Sequence, residues 1–296
     1  MIRVVDVGHL SLRTPDVSRQ LDYYTNVLGL TEVAREKGAY YLACPDDYLS
    51  IVLREGAESG CDGLALHTAP DADLSEFERQ LSVHGAKVSS QSDTTPAVSR
   101  SLAFDDPCGT RIEIIPAPAP QKRIRGAGPI VPNKLGHVAF RSFDPAAVAD
   151  FYVNALGFRV SDWMGDFFVF LRCNPDHHGV NFLRSSFLRL HHFAFELTDW
   201  NHVRDTCDEL GRHRIPLIWG PGRHALGHNL YTYHNDPEGR IVELYCDLDR
   251  MSSEDQGYWD PRPWHEENPL RPKVWQPGPF VSNAWGIATP AGFRDP

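Results

Sequence analysis

The stretch VGHLSLRTPDVSRQLDYYTNVLGL, residues 7–30, recurs later in the chain as LGHVAFRSFDPAAVADFYVNALGF, residues 135–158. Each copy reads as a strand, a turn, an amphipathic helix and then a Leu-Gly pair followed by an apolar residue. In this alignment His9 matches His137. Self-similarity over a stretch of this length is typical of a duplicated architecture. The repeat therefore predicts that the chain contains two related halves.

A second pair of stretches keeps the same alignment towards the end of each half. FDDPCGTRIEII, residues 104–115, matches HNDPEGRIVELY, residues 234–245, and this pairs Glu113 with Glu243. In Asp-Pro-x-Gly the proline presets φ and the glycine accepts a positive φ, so the motif predicts a turn before a strand. Each half also contains a second helical pattern, DADLSEFERQLSVHGAKV (71–88) or TDWNHVRDTCDELGRHRI (198–215). Each half is thus predicted to hold two strand-helix-strand-strand-strand modules.

These patterns predict an α+β fold with two domains, in which paired βαβββ modules form a barrel in each domain. Residues 1–118 are predicted to form the N-terminal domain and residues 135–247 the C-terminal domain. Residues 119–134, rich in Pro, Gly and Arg, read as the linker between them. Residues 248–296 are rich in Pro and aromatic residues and show no periodicity. They are predicted to be either a strap on the second domain or a lid over a site.

Composition excludes several classes of protein. The 296 residues carry a formal net charge of -10, which argues against a non-specific partner among nucleic acids or anionic membranes. Apolar runs fall well short of the roughly 20 residues that span a membrane. The six cysteines are scattered and form no C-x-x-C pair, so they read as reduced thiols. The expected location is the cytosol, and exposed sheet edges favour a homo-oligomer.

The second half carries a candidate metal site. LRLHHFAFEL, residues 188–197, contributes His192, which joins His137 and Glu243 from the two repeated stretches. Two neutral imidazoles and one carboxylate form the facial triad that suits Fe(II) and leaves positions open for substrate and dioxygen. Zn or Mn is compatible with the same ligands. The neighbouring His191, with Phe193 and Phe195 on its face of the strand, is predicted to pack near the barrel rim.

The first half lacks one of these ligands. It keeps His9 and Glu113, but Gly63 stands at the position that matches His192. Loss of the middle ligand in one copy is what specialisation of a single site after duplication would leave. The first half is therefore predicted to be catalytically silent.

Other residues able to move protons cluster around the predicted ligands. NPDHHGVNF, residues 174–182, contains His177 and His178, and GPGRHALGHNLYTYHNDPEGR, residues 220–240, contains His224 and Tyr233. Side chains of these types favour acid-base work on a bound substrate. Two further histidines of the second stretch are predicted to lie at the surface, His228 and His234.

Taken together these motifs resemble the type I extradiol catechol dioxygenases of the vicinal-oxygen-chelate superfamily, over nearly the whole chain. The resemblance implies that His137, His192 and Glu243 bind Fe(II), with Mn(II) as a second metal, and that the substrates are a catechol and O2. It further implies that three residues act on the substrate: His178 as the acid-base group, His224 in contact with it and Tyr233 hydrogen-bonded to a catecholate oxygen.

Three questions stay open at this point. Gly179 stands where the family usually has Asp, so His177 is an alternative to His178. The same fold also hosts metal-dependent isomerases or lyases of the glyoxalase kind, which build their site from both halves, and non-catalytic proteins that bind an aromatic ligand. Trp219, just before GPGRH, offers apolar area rather than charge, and so favours binding of an alkyl- or aryl-substituted catechol.

Overall fold

The computed structural model describes residues 1–96, 98–119, 126 and 128–293, and each half of the chain forms one mixed β-sheet. Seven residues of the predicted linker, 120–125 and 127, lie outside the described residues. The strands of the first sheet are β1 Val4–Thr14, β2 Thr31–Glu36, β3 Ala39–Ala43, β4 Ile51–Glu55, β5 Gly60–Thr68, β6 Ser89–Gln91, β7 Ser101–Asp105 and β8 Arg111–Pro116. Its helices are α1 Val17–Asp22, which continues into a π-helical turn at Tyr23–Val27, and α2 Leu74–Val83.

The second sheet repeats this arrangement and adds one strand. Its strands are β9 Lys134–Ser142, β10 Arg159–Met164, β11 Phe168–Arg172, β12 Val180–Arg184, β13 Arg189–Glu196, β14 Leu217–Arg223, β15 Leu230–Asn235, β16 Ile241–Cys246 and β17 Val274–Trp275. Its helices are α3 Pro145–Leu156, α4 Trp200–Arg212 and the short α5 Pro279–Ser282. Among the described residues, none of these helices is long and apolar enough to cross a membrane.

The strand order confirms the paired βαβββ modules. In the first sheet it is β2-β3-β4-β1-β5-β8-β7-β6, and in the second β14-β15-β16-β13-β9-β12-β11-β10-β17. The first and last strands of every module pair in parallel, and the two modules of a sheet meet through an antiparallel pair, β1 with β5 or β9 with β13. Ladder hydrogen bonds that would close either sheet into a barrel are not found within the described part of the chain.

Aspartates begin the main helices, because a carboxylate accepts hydrogen bonds from the unpaired backbone N–H groups of the first turn. Asp16, Asp73, Asp144 and Asp199 each cap a helix in this way. Gly157 ends α3 in the left-handed conformation, with φ 77°, which a residue without Cβ adopts at little cost. The repeated Leu-Gly pair is thus a helix stop.

The two sheets pack against each other through buried polar contacts. The hydroxyl of Tyr23 lies 2.6 Å from Nε2 of His234, and the hydroxyl of Tyr152 donates to Asp106 at 3.1 Å. His234 is fully buried, and His228 is 8% exposed, so the prediction that both lie at the surface was wrong. β15 is covered on both faces, by the first half on one side and by the site on the other. The alternation of apolar and polar residues along a strand cannot reveal that its second face is also buried.

The residues after β16 form a C-terminal segment, residues 248–293, that packs along the second sheet. Within it Trp259 is almost fully buried against Met251 and Leu270. β17 extends the sheet in parallel with β10, where Trp163 pairs with Val274. The segment therefore packs on the second sheet, and its end reaches the site described next.

Candidate metal centre

Three adjacent strands of the second sheet, β9, β13 and β16, carry the three predicted ligands. Ala194 on β13 lies directly opposite His137 on β9 and Glu243 on β16. Residues in register across a sheet share a face, and so do residues two apart on one strand. His192 is two residues before Ala194 and therefore joins the other two side chains. The small Ala194 leaves the space between them open.

The three ligand atoms form a nearly equilateral triangle. Nε2 of His137 lies 3.1 Å from Oε2 of Glu243, Nε2 of His192 lies 3.3 Å from that same oxygen, and the two nitrogens are 3.3 Å apart. Three ligands on one face of an octahedron, with bonds of about 2.1 Å, lie about 3 Å from each other. The triad His137, His192 and Glu243 is also a group that can hold a metal ion by proximity of its ligand atoms. The donor set thus fits a divalent cation.

Neighbouring side chains bind the second polar atom of two ligands, Glu243 and His192. The first atom of each ligand is thus left free for the cation. Asn229 donates to Oε1 of Glu243 at 2.9 Å, which reserves Oε2 for the centre of the triad. Nδ1 of His192 lies 2.6 Å from Nδ1 of His191, whose Nε2 lies 2.9 Å from the carbonyl oxygen of Phe293. A carbonyl only accepts, so Nε2 of His191 donates and its Nδ1 accepts from His192. Nε2 of His192 is then left with its lone pair, as a metal ligand requires.

The charges at the triad agree with this distribution of protons. Burial alone would raise the pKa of Glu243, but its contacts with His137 and His192 hold that pKa well below the ordinary value. Burial lowers the pKa of His192, against the opposing influence of Glu243. An ionised carboxylate and a neutral imidazole are the forms that bind a metal. Nδ1 of His137 has no hydrogen-bond partner among the described residues.

The corresponding place in the first sheet has a different structure. Ala65 on β5 lies opposite Glu113, as Ala194 lies opposite Glu243, so Gly63 is the structural counterpart of His192. Gly63 has φ 155°, and a Cβ there would lie 2.6 Å from the carbonyl oxygen of Arg111. Glu113 instead accepts hydrogen bonds from Ser101 and a threonine. A side chain that binds a metal cannot be placed at this position without moving the backbone.

We expect His9→Ala and Glu113→Ala each to leave metal content and turnover close to those of the unchanged protein. Neither side chain belongs to a group of potential metal ligands among the described residues. Metal per chain after dialysis and the initial rate of oxygen uptake check this expectation, with His137→Ala as the matched variant of the second half. Loss of metal in either first-half variant would show that the first half contributes to the site.

A pocket opens above the triad, and all seven predicted site residues line it. Its wall is otherwise largely apolar, and among the described residues no lysine or arginine lines it. Four lining residues come from the C-terminal segment: Val281, Ser282, Thr289 and Phe293. The lid interpretation of this segment stays a prediction, but its contribution to the pocket wall is direct.

His178, rather than His177, faces this pocket. It precedes β12, and its ring lies 4.3 Å from that of His137 and 5.3 Å from Phe170. His177 is fully buried behind it and does not line the pocket. Burial, together with His137 and His177, lowers the pKa of His178 well below its ordinary value, so the ring is neutral at pH 7.

His224 and Tyr233 form a hydrogen-bonded pair at the opposite side of the triad. Nδ1 of His224 lies 2.6 Å from the carbonyl oxygen of Ser282, so this nitrogen donates. Its Nε2 therefore accepts from the hydroxyl of Tyr233, 3.1 Å away. Burial lowers the pKa of His224 to about 4 and, with Glu243, raises the pKa of Tyr233 well above its ordinary value. Tyr233 thus keeps its proton and is available as a donor.

Trp219 covers the apolar side of this pair. Its ring stacks on that of Tyr233, with centroids 5.4 Å apart and planes at 13°, and its edge meets Phe293 at 5.1 Å. The indole is 6% exposed, and its N–H donates to the carbonyl oxygen of Ile287 at 3.3 Å. The tryptophan therefore presents ring surface, not a polar group, to the pocket.

Sequence reasoning missed or misplaced several residues that support the site. His191 is 5% exposed and lines the pocket, so its predicted position near the rim was wrong. Asn229, which directly follows His228, was not predicted, although its side chain donates to the carboxylate of Glu243. A short polar residue immediately before a strand of alternating aromatics is the signal that could have identified it.

Comparison with models of known protein families identifies the superfamily of this chain. A model described as Glyoxalase/Bleomycin resistance protein/Dioxygenase superfamily matches residues 6–114 and 134–244. These two matches cover most of the chain and correspond to its two sheets. The chain belongs to this superfamily.

Individual relatives are distant but match over most of their length. Metapyrocatechase 2 of Cupriavidus necator is 28% identical over 83% of this chain and 82% of its own. An iron-dependent extradiol dioxygenase of Rhodococcus jostii is 25% identical over 84% of this chain and 91% of its own. The crystal structure of the Mn(II)-bound glyoxalase from Novosphingobium aromaticivorans is 26% identical, with a TM-score of 0.84, and the match covers 100% of this chain and 95% of that one.

Proposed function

We propose that the protein is an extradiol ring-cleavage dioxygenase, which inserts both atoms of O2 into a substituted catechol and gives a ring-opened semialdehyde. The observation that carries this proposal is the triangle of ligand atoms, His137, His192 and Glu243, at the floor of an apolar pocket. His178 lies at one side of that triangle, and His224 with Tyr233 lies at the other. One relative that matches most of this chain is named an extradiol dioxygenase, which supports the same activity.

Fe(II) is the metal we propose, with Mn(II) as the second candidate. Two imidazoles and one carboxylate are the ligand set of non-haem Fe(II) oxygenases, and Mn(II) accepts the same donors. One relative is named as iron-dependent, and the similar solved structure contains Mn(II). When bound, the metal supplies a cation that favours the deprotonated catechol and a route for electrons between the ring and dioxygen.

The side chains of this protein have distinct tasks in that reaction. Tyr233 keeps its proton and can turn its hydroxyl from His224 to an oxygen of the catechol. His178 presents a neutral imidazole at the other side of the triad, where it can take up a proton and later return it to the oxygen that becomes part of the product. The apolar wall, including Phe170, keeps water from the reacting atoms, and this strengthens each of these polar contacts.

The similar solved structure that is titled a glyoxalase makes an isomerase or lyase the second candidate. Enzymes of that kind, as the sequence resemblance implies, draw ligands from both halves. Here Gly63 removes one ligand from the first sheet, and the second sheet already holds a complete triad. A protein that only binds an aromatic ligand would not require the triad, His178 and Tyr233 together.

Anaerobic mixing tests the proposal. Protein loaded with Fe(II) is mixed with catechol without oxygen and is then exposed to air, while oxygen uptake and visible absorbance are followed. The expected result is a yellow ring-opened product and consumption of one O2 per catechol. Protein without metal is the control and is expected to give neither. Binding of catechol without oxygen uptake would instead favour a non-catalytic binding protein or an isomerase or lyase.

We expect the preferred substrates to carry an apolar ring substituent. Burying apolar surface contributes about 25 cal/mol per Å², so each added methylene raises kcat/KM about fourfold until the pocket is full. A carboxylate would lose its hydration without gaining a cation, because no lysine or arginine lines the pocket in the described part of the chain. The order catechol, 3-methylcatechol, 3-ethylcatechol, compared with carboxylated catechols by oxygen uptake at equal metal content, checks this.

Variants at Trp219 sharpen the same prediction. Trp219→Arg should narrow the gap between alkylated and carboxylated catechols, since it places a cation in the pocket wall. Trp219→Phe is the matched control, because it keeps an apolar ring and should keep the original order. A preference of the unchanged protein for carboxylated catechols would contradict the prediction that the pocket wall at Trp219 favours apolar substituents.

We also propose a cytosolic location and a homo-oligomer. All six cysteines are free thiols, which is typical of a reducing compartment. β2 and β6 are sheet edges with mostly exposed residues, and such edges are commonly covered by a second copy. Sedimentation of the metal-loaded protein tests the second statement.

A further inference from the structure

A chain of buried polar groups runs from His178 away from the pocket. Nδ1 of His178 lies 2.9 Å from Nδ1 of His177, and Nε2 of His177 lies 3.1 Å from Oδ2 of Asp162 on β10. His177 is fully buried and Asp162 is 3% exposed. Neither residue lines the pocket, so neither can touch a substrate.

The C-terminal segment completes the surroundings of the carboxylate. The backbone N–H of Lys273 donates to Oδ1 of Asp162 at 2.7 Å, and the indole N–H of Trp275 donates to Oδ2 at 2.8 Å. Oδ2 also faces Nε2 of His177, so three nitrogens surround one carboxylate. An ionised carboxylate accepts from all three when Nε2 of His177 carries a hydrogen. The ring of Trp259 packs on His177, with centroids 4.6 Å apart.

The carboxylate fixes the direction of every hydrogen bond in the chain. An ionised Asp162 only accepts, so beside it Nε2 of His177 carries a hydrogen. A neutral imidazole has one N–H, so Nδ1 of His177 accepts, and Nδ1 of His178 must donate to it. Nε2 of His178 is left with its lone pair. That nitrogen has no hydrogen-bond partner among the described residues, on a ring that lines the pocket.

We propose that Asp162 and His177 are positioning residues, which hold the ring of His178 in the tautomer that has its lone pair on Nε2 towards the pocket. A buried carboxylate that fixes an imidazole tautomer is a known way to prepare a proton acceptor. Here the carboxylate acts through one intervening imidazole, and Lys273 and Trp275 hold it in place. This inference rests on the proposed function, since that function gives His178 its task.

Kinetics of variants provide the first test. Asp162→Asn and His177→Leu are expected to lower kcat about 10–100-fold. Losses of this size are typical when a functional imidazole loses the hydrogen-bond partner that orients it. The KM for catechol and the metal bound per chain should stay unchanged, because neither residue touches the substrate or the triad. His177→Asn should recover part of kcat, since its amide oxygen can replace Nδ1 as the acceptor.

Asp249→Asn is the matched control. Asp249 is also a buried aspartate, at the start of the C-terminal segment, and it bonds to two histidines, His228 at 2.6 Å and His265 at 2.8 Å. Its carboxylate does not reach His178, so we expect a lower melting temperature with unchanged kcat. If Asp162→Asn and His177→Leu behave like this control, the two residues serve stability alone and the inference is wrong.

The ring ¹⁵N shifts of His178 test the tautomer without any turnover. They can be measured on zinc-loaded protein labelled at histidine and assigned by comparison with His178→Asn. The expected spectrum shows a protonated Nδ1 and an unprotonated Nε2, and Asp162→Asn should give a mixture. A protonated Nε2 in the unchanged protein would overturn the inference, whether or not catechols are cleaved. Failure to cleave any catechol, with the tautomer as expected, would instead count against the proposed function.

Discussion

Replacing His192 by alanine is expected to abolish tight metal binding and to reduce catechol turnover to background. Its Nε2 is one corner of a triangle whose sides are 3.1–3.3 Å, and the remaining imidazole and carboxylate would form an ordinary buried pair. His137→Ala and Glu243→Ala should have the same effect. Since the three ligands act as a unit, a double variant should be no worse than a single one. Metal per chain after dialysis against a chelator, with oxygen uptake on the same sample, measures both effects.

The first sheet offers the control for this result. His9→Ala removes the histidine that matches His137 in the repeat, at a position that is equally buried. A general loss of folding would affect both variants, whereas loss of a metal ligand affects one. Full metal content and full activity in His192→Ala would show that the triad is not the metal site.

The second large effect is expected at His178. His178→Gln should keep metal and substrate binding but slow turnover by about 10²–10⁴-fold, the typical contribution of a positioned acid-base group. The ring faces the pocket beside His137 without being part of the triangle, so its loss removes proton transfer and leaves the ligands in place. Stopped-flow absorbance under limiting oxygen separates substrate binding from ring opening.

The order of effects at the two neighbouring histidines is a further check. His177→Gln should cost less than His178→Gln, because His177 acts only through the other ring. If His177→Gln gave the larger loss and His178→Gln stayed active, the acid-base group would be His177.

The fold and the triad were predictable because both depend on periodicity. The repeat aligns His137, Glu243 and the empty position at Gly63, and alternation along a strand decides which side chains share a face. Strand pairing then brings together residues that are far apart in sequence, in the register that the repeat already implies. In the structure this register appears as the pairing of Ala194 with both His137 and Glu243.

What could not be predicted depends on contacts between unrelated segments. Asp162 is held by Trp275 because β17 adds to the edge of β10 and brings the indole beside the carboxylate. His191 is buried because the carbonyl of Phe293, 102 residues later, covers it. The C-terminal segment carries no periodic pattern, so nothing in the sequence records where that segment returns to the sheet.

Incorporation of ¹⁸O2 tests the central claim most directly. Fe(II)-loaded protein is mixed anaerobically with 3-methylcatechol and then exposed to ¹⁸O2. The product is reduced at once, so that its aldehyde or ketone oxygen cannot exchange with water, and is analysed by mass spectrometry. The predicted result is a single ring-opened product that contains two ¹⁸O atoms and is absent from the His192→Ala sample. A product without ¹⁸O, or with its ring intact, would contradict extradiol cleavage at the triad His137, His192 and Glu243.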